Sequence, residues 1–229
     1  MTTSFTRVAI LDDHQSIIDG YMYRLSSVPG LEIVATISYG EELEPTLAAH
    51  HADVLLLDIN VPTSAENPSP YPILYNIPSL LEKYPNLHIL VISMYAERGL
   101  IRAVMEAGAS GYVLKDDRAM LQDLGNVVQS IASGGIYFSQ KAHQLMLSQK
   151  TTPSDERLSP RQLEALSLCA AYPDWTSADL AQKMAVSNST VRNLLSGAYL
   201  RLGVHSRPAA VARARQQGLI TPDPPILAE

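Results

Sequence analysis

Four apolar residues in a row, Val54-Leu55-Leu56-Leu57, stand between Asp53 and Asp58. A run without alternation cannot leave one strand face in water, so a strand built from it must be covered on both sides. The middle of a parallel sheet between two helical layers meets that condition. Comparable short stretches are Val8–Leu11, Ile33–Ile37, Ile89–Ser93 and Gly111–Leu114. Helical patterns fall between them, among them Ile17–Ser26, Leu43–His50 and Leu100–Ala107, and a further one over Ala119–Ser133 follows the fifth stretch. Strand and helix alternating at this spacing predict an α/β unit with a parallel sheet.

Polar groups stand at the carboxyl ends of four of these stretches. Asp12-Asp13 follows the first, Asp58 the third and Lys115 the fifth, while Ser93 closes the fourth. Parallel strands gather their carboxyl ends along one edge, so the five side chains converge on one crevice. Each has a plain reading when taken alone: a turn or N-cap for the aspartates, a solvated end for the lysine. Their joint occurrence at converging strands points to chemistry. Asp12 and Asp13 offer oxygen ligands to a hard divalent ion such as Mg²⁺. Asp58 supplies another ligand and a nucleophile able to form an acyl phosphate. The Ser93 hydroxyl can bond a phosphoryl oxygen, and the Lys115 ammonium can offset charge. His14 is expected to be a loop histidine, since no second histidine stands at ligand spacing.

Charge divides the chain of 229 residues unevenly. Residues 1–150 carry 16 acidic and 9 basic groups, residues 151–229 carry 7 and 8. Between Asp179 and Asp223 there is no acid, while Lys183, Arg192, Arg201, Arg207, Arg213 and Arg215 are present. Such a window suits a polyanion. The single Cys169 lies among apolar neighbours and is expected in a core. No run approaches the ~18 to 20 apolar residues of a membrane span, and no secretory signal opens the chain. These features predict a cytoplasmic protein without a membrane partner.

After Leu158 the pattern becomes wholly helical. Ser159-Pro160-Arg161-Gln162 combines an N-cap, a first-turn proline and a capping-box glutamine. Thr176 to Asp179 repeats the device, Ser187 to Thr190 opens a third helix, and Ser206-Arg207-Pro208 opens a fourth. Four short helices, the middle pair joined at Ala185-Val186, approach helix-turn-helix geometry. The expected division is a first domain over 1–135, a linker over 136–156, a helical domain over 157–222 and a tail over 223–229.

Leu11-Asp-Asp-His14, Leu57-Asp-Ile-Asn-Val-Pro62, Val91-Ile-Ser-Met94 and Gly111-Tyr-Val-Leu-Lys115 resemble the receiver domain of two-component response regulators. Leu158-Ser-Pro-Arg-Gln162, Leu180-Ala-Gln-Lys-Met184, Val186 to Arg192 and Arg201-Leu-Gly-Val204 resemble the LuxR-type helix-turn-helix. Together they are similar to the NarL/FixJ class along nearly the whole chain. The resemblance implies a flavodoxin-like, doubly wound, five-stranded parallel sheet followed by a small all-α four-helix domain. It implies phosphorylation of Asp58 by a sensor histidine kinase, with Mg²⁺ held by Asp12, Asp13, Asp58 and the backbone carbonyl of Asn60. Ser93 and Lys115 would contact the phosphoryl group, and Tyr112 stands at the family's aromatic switch position, its ring expected to turn inward on activation. The output would be homodimerisation and binding of double-stranded DNA. The helix from about Asn188 would read the major groove through Arg192 and Asn193, with Ser187, Ser189, Thr190 and Ser196 along it. Lys183, Arg201 and Arg207 would supply charge toward the phosphates, and Val204 through Arg215 would form the closing, dimerising helix.

The chain departs from the family in several places. After Asp58 it runs Val61-Pro-Thr-Ser-Ala-Glu-Asn-Pro-Ser-Pro-Tyr-Pro72, longer than the usual Pro-Gly-x-x-Gly turn and without its glycines. Five of the fifteen prolines fall between Pro62 and Pro78. A stiff loop here could cap the crevice, alter phosphate lifetime or contact a partner. In the reading helix, Leu194 and Ser196 replace residues the family usually makes histidine and basic or polar. Gly197 costs about 1 kcal/mol relative to alanine. Two alternatives therefore stand beside the phosphorylation switch: a phosphorylation-independent regulator whose first domain dimerises or senses a ligand, and an aspartate-dependent phosphatase. The second is disfavoured because Asn60 stands where such enzymes carry a second acid.

Overall fold

A computed structural model describes residues 5–147 and 158–223. The first domain threads β1 (Thr6–Leu11), α1 (Gln15–Ser26), β2 (Leu31–Ile37), α2 (Leu43–Ala49), β3 (Val54–Leu57), α3 (Ile73–Lys83), β4 (His88–Ser93), α4 (Arg98–Glu106) and β5 (Gly111–Leu114). It continues through α5 (Arg118–Gln122), α6 (Leu124–Ala132), β6 (Tyr137–Phe138) and α7 (Gln140–Leu147). The strands lie in the order β2-β1-β3-β4-β5-β6, all parallel, so the order reverses between β1 and β3.

The unbroken run of β3 is explained by its neighbours. Leu55 and Leu57 enter one core with residues of α2, α3, α4 and α7, while Val54 and Leu56 enter the other with residues of α1 and α6. All four are at most 1% exposed. Each buried leucine is worth roughly 1.5–3 kcal/mol, so any charge in this strand would be severely destabilising.

Four expectations are corrected. The sheet has six strands, because Tyr137 and Phe138 pair with Gly111 and Tyr112 at its far edge. The segment beginning at 136 is accordingly not linker up to Leu147: α7 follows β6 and buries Ala142 completely. Two residues are too few to display a strand period, and only the open edge of β5 makes them a strand. Residues 148–156 of the expected linker lie outside the described part. The helix expected over Ala119–Ser133 is divided at Asp123, whose amide bonds back to Ala119 and Met120. The closing helix starts later than Val204, because Ser206 caps it and Pro208 occupies its first turn. Helix α3, concealed in the sequence by Pro72 and Pro78, buries Ile73, Leu74, Ile77 and Leu80 at helical spacing.

The second domain comprises α8 (Pro160–Ala171), α9 (Ser177–Lys183), α10 (Asn188–Leu202) and α11 (Arg207–Gln216). Its helix starts follow the sequence signals closely. Ser159 and Gln162 close a capping box, as do Thr176 and Asp179, and Ser206 caps α11. Ala185, in the turn between α9 and α10, has φ 53°, a left-handed conformation that costs an alanine roughly 1 kcal/mol. Gly197 has a packing reason: a Cβ there would lie 2.6 Å from the side-chain nitrogen of Gln162 on α8. Cys169 is buried in this core, where burial pushes its thiol up to about 11.

Candidate functional site

Register decides what meets at the carboxyl edge. Leu11 pairs with Leu57, Leu57 with Val91, and Ser93 with Leu114, so the residues following β1, β3 and β5 emerge in one row. The Asp58 amide donates to the Leu11 carbonyl at 2.8 Å, and the Lys115 amide donates to the Ser93 carbonyl at 2.8 Å. These backbone bonds fix both side chains before any side-chain interaction is made.

The Lys115 ammonium donates to Asp12 Oδ2 and to Asp58 Oδ2, each at 2.7 Å. Asp12 is 1% exposed and Asp58 6%. Two buried carboxylates and one lysine leave the cluster with a net negative charge in a poorly hydrated place. Burial pushes the Asp58 carboxyl up to about 6, helped by the charge of Asp12, and the attraction of Lys115 only partly offsets this. Burial also pulls on Lys115, yet the combined attraction of Asp58 and Asp12 holds its ammonium above the usual lysine range.

The rim is more open. Asp13 is exposed and its Oδ1 lies 2.8 Å from His14 Nδ1, while the His14 amide donates to Asp12 Oδ1 at 3.0 Å. Asp12, Asp13 and His14 bring ligand atoms within 4.8 Å of one another. The oxygen donors of Asp12, Asp13 and Asp58 fit a hard divalent cation, which takes carboxylates and water readily. The Asn60 amide donates to Asp58 Oδ1 at 3.3 Å.

Ser93 is fully buried, and its hydroxyl accepts from the Tyr95 amide at 3.3 Å. The Tyr112 ring is already inside, 0% exposed, and its hydroxyl donates to the Tyr95 carbonyl at 2.7 Å. Tyr95 thus touches both residues, a connection the sequence analysis did not single out. Only its place two residues after Ser93 could have suggested it.

On the second domain, Lys183, Ser187, Ser189, Thr190, Arg192, Asn193 and Ser196 are all exposed along α9 and α10. Ser187 Oγ accepts from the Thr190 amide at 3.1 Å and lies 2.8 Å from the hydroxyls of Ser189 and Thr190. A helix N-terminus with three clustered hydroxyls is a good phosphate seat. Two arginines have internal partners instead. Arg201 donates to Gln162 Oε1 at 3.1 Å, and the partly buried Arg207 donates to the Trp175 carbonyl at 2.6 Å.

A doubly wound sheet with an acidic crevice at its switch point, joined to a capped helix-turn-helix with an open polar face, defines a signal-receiving DNA-binding regulator. Residues 8–126 match the response regulator receiver domain, and residues 156–214 match the luxR family of bacterial regulatory proteins. The chain belongs to the response regulators, as a receiver with a LuxR-type DNA-binding domain. It is 25% identical to the transcriptional regulatory protein DegU of Brevibacillus brevis, covering 93% of this chain and 94% of that one. It is 27% identical to the oxygen regulatory protein NreC of Staphylococcus epidermidis, covering 93% and 99%. Among solved structures, RcsB of Salmonella enterica serovar Typhimurium bound to promoter rprA with a phosphomimetic shares the fold with a TM-score of 0.63 at 22% identity, covering 91% and 98%. Among the described residues no helix is long and apolar enough to cross a membrane.

Proposed function

We propose that Asp58 accepts a phosphoryl group from a sensor histidine kinase and that the modified chain acts as a dimer on double-stranded DNA in the cytoplasm. The observation carrying this reading is the 2.7 Å contact of Lys115 with both Asp12 and Asp58 at the strand edge. In the transfer, an Asp58 oxygen forms the bond to phosphorus as the donor's phosphorus–nitrogen bond breaks. Lys115 leaves its carboxylate partner for the new phosphoryl oxygens. Ser93 turns its hydroxyl from the Tyr95 amide toward another of them. Asp12, Asp13, Asp58 and the Asn60 carbonyl would hold Mg²⁺, which supplies charge neutralisation on the phosphoryl oxygens. Asn60, unlike an acid, cannot protonate a leaving group, so the site is read as an acceptor and not as an enzyme turning over external esters.

On DNA, Arg192, Asn193 and Ser196 would face base edges and Lys183, Ser187, Ser189 and Thr190 the phosphates, with Arg201 and Arg207 bracing the domain and lending long-range charge. The test is incubation with acetyl phosphate or beryllofluoride and Mg²⁺, read by native mass spectrometry and by duplex binding. The wild-type protein is expected to gain one phosphoryl group, dimerise and bind more tightly, while Asp58→Ala does none of these. Equal behaviour of the two proteins would mean a phosphorylation-independent regulator.

A further inference from the structure

The proline-rich excursion after Asp58 is an ordered hairpin. Pro62 and Pro70 bridge antiparallel, Thr63 and Ser69 are joined by the Thr63 amide and hydroxyl at 2.9 and 2.7 Å, and the Tyr71 amide donates to the Val61 carbonyl at 2.9 Å. It is anchored sideways, since the Gly40 and Glu41 amides donate to the Pro62 and Thr63 carbonyls. From its tip, Asn67 Nδ2 donates to the Ala171 carbonyl at the end of α8 at 3.1 Å. Three prolines, Pro62, Pro68 and Pro70, and this bond network leave the tip little freedom to lose on docking.

Further contacts join the domains. The Tyr75 hydroxyl on α3 donates to Glu164 Oε1 on α8 at 2.6 Å, and the Tyr172 hydroxyl donates to Glu41 Oε1 at 3.1 Å. After α11, the Thr221 hydroxyl donates to the Tyr71 carbonyl at 3.2 Å. Glu164 is 3% exposed although it lies on the first helix of a small domain. Backbones also touch: a Cβ on Gly99 of α4 would lie 2.5 Å from the Gln217 carbonyl, and one on Gly218 would lie 2.7 Å from the Leu100 nitrogen. Finally, the Tyr95 hydroxyl donates to the Asp223 carbonyl, while the Tyr95 carbonyl accepts from Tyr112.

We propose that the hairpin and the segment after α11 form a latch that grips the DNA-binding domain by α8 and its C-terminal end, leaving the reading helix facing solvent. Arg192, Asn193 and the residues at the start of α10 are exposed while nine of the twelve residues of α8 are buried. The latch therefore fixes where the reading helix points and does not cover it. Opening frees two copies to take up the spacing of paired half-sites, and Tyr95 is the residue through which the Tyr112 region reaches the gripped end.

The latch does not depend on the phosphoacceptor reading, so it is tested in an Asp58→Ala background by small-angle scattering of the full chain. Two variants open it from different sides. Tyr75→Glu sets a carboxylate against Glu164. Gly99→Ala drives a methyl group into the Gln217 carbonyl while favouring its own helix. A compact chain of this length has a radius of gyration of roughly 17 Å, and both variants are expected to exceed the parent by several ångströms. Adding Glu164→Gln to Tyr75→Glu should restore compaction, and circular dichroism should match throughout. Affinity for a random-sequence 20-base-pair duplex at low salt should stay within about twofold, because the reading helix is open in either state. Unchanged scattering in both variants would overturn the latch, and a tenfold tightening on opening would overturn its outward-facing geometry.

Discussion

Asp58→Asn should make the protein more stable at neutral pH, although it removes one of the two ion pairs of Lys115. Asp58 is 6% exposed, and burial carries its carboxyl from 3.8 to about 6. A shift of about two units at 1.36 kcal/mol each puts the cost of its charge in the folded state at about 3 kcal/mol. That figure already includes the attraction of Lys115; an uncharged side chain of the same shape avoids the net cost, and with relaxation around the buried charge the expected gain is about 1–2 kcal/mol at about pH 8. The pH dependence follows from linkage. The folded wild type holds the Asp58 proton more tightly than the unfolded chain, so this stabilisation is complete below about pH 4 and is lost as pH rises through about 6. The gain should accordingly vanish near pH 4. Urea unfolding followed by far-ultraviolet circular dichroism, on both proteins across that range, gives the difference directly. Mg²⁺ at 100 times its dissociation constant should return about 2.7 kcal/mol to the wild type and much less to the variant, which lacks one of the proposed ligands. An asparagine variant less stable than wild type at pH 8 would refute the reasoning, since the Lys115 attraction would then exceed the cost of burial.

Lys115→Met leaves Asp12 and Asp58 facing each other without a cation and should cost about 3–5 kcal/mol at neutral pH; the loss should shrink in acid, and the same unfolding series checks it. Tyr112→Phe removes the donor to the partly buried Tyr95 carbonyl and should cost about 1 kcal/mol in thermal or urea unfolding while leaving Mg²⁺ affinity unchanged. Arg207→Ala should lower stability by about 1–2 kcal/mol through the orphaned Trp175 carbonyl, with little change in the salt dependence of duplex binding. Arg192→Ala should do the opposite, weakening duplex binding without moving the unfolding midpoint.

The sheet's central strands, the helix starts of the DNA-binding domain and the convergence of Asp12, Asp58 and Lys115 were legible in the order of the amino acids. Those features rest on local signals: an unbroken apolar run, a serine three residues before a glutamine, a charged residue at a strand's end. Contacts between distant segments were settled only in three dimensions. Tyr137-Phe138 becomes a strand because the edge of β5 is open to it, and α3 forms in spite of its prolines because its apolar side chains have a core to enter. Gly197, a cost in an isolated helix, is the gap into which Gln162 fits. The proline-rich excursion shows the division most plainly. Its stiffness is written in its composition, but a polar tip such as Asn67 carries no record of its partner, since a hydrogen bond to a backbone carbonyl can be met anywhere in the fold. The approach of the second domain supplies that partner in Ala171.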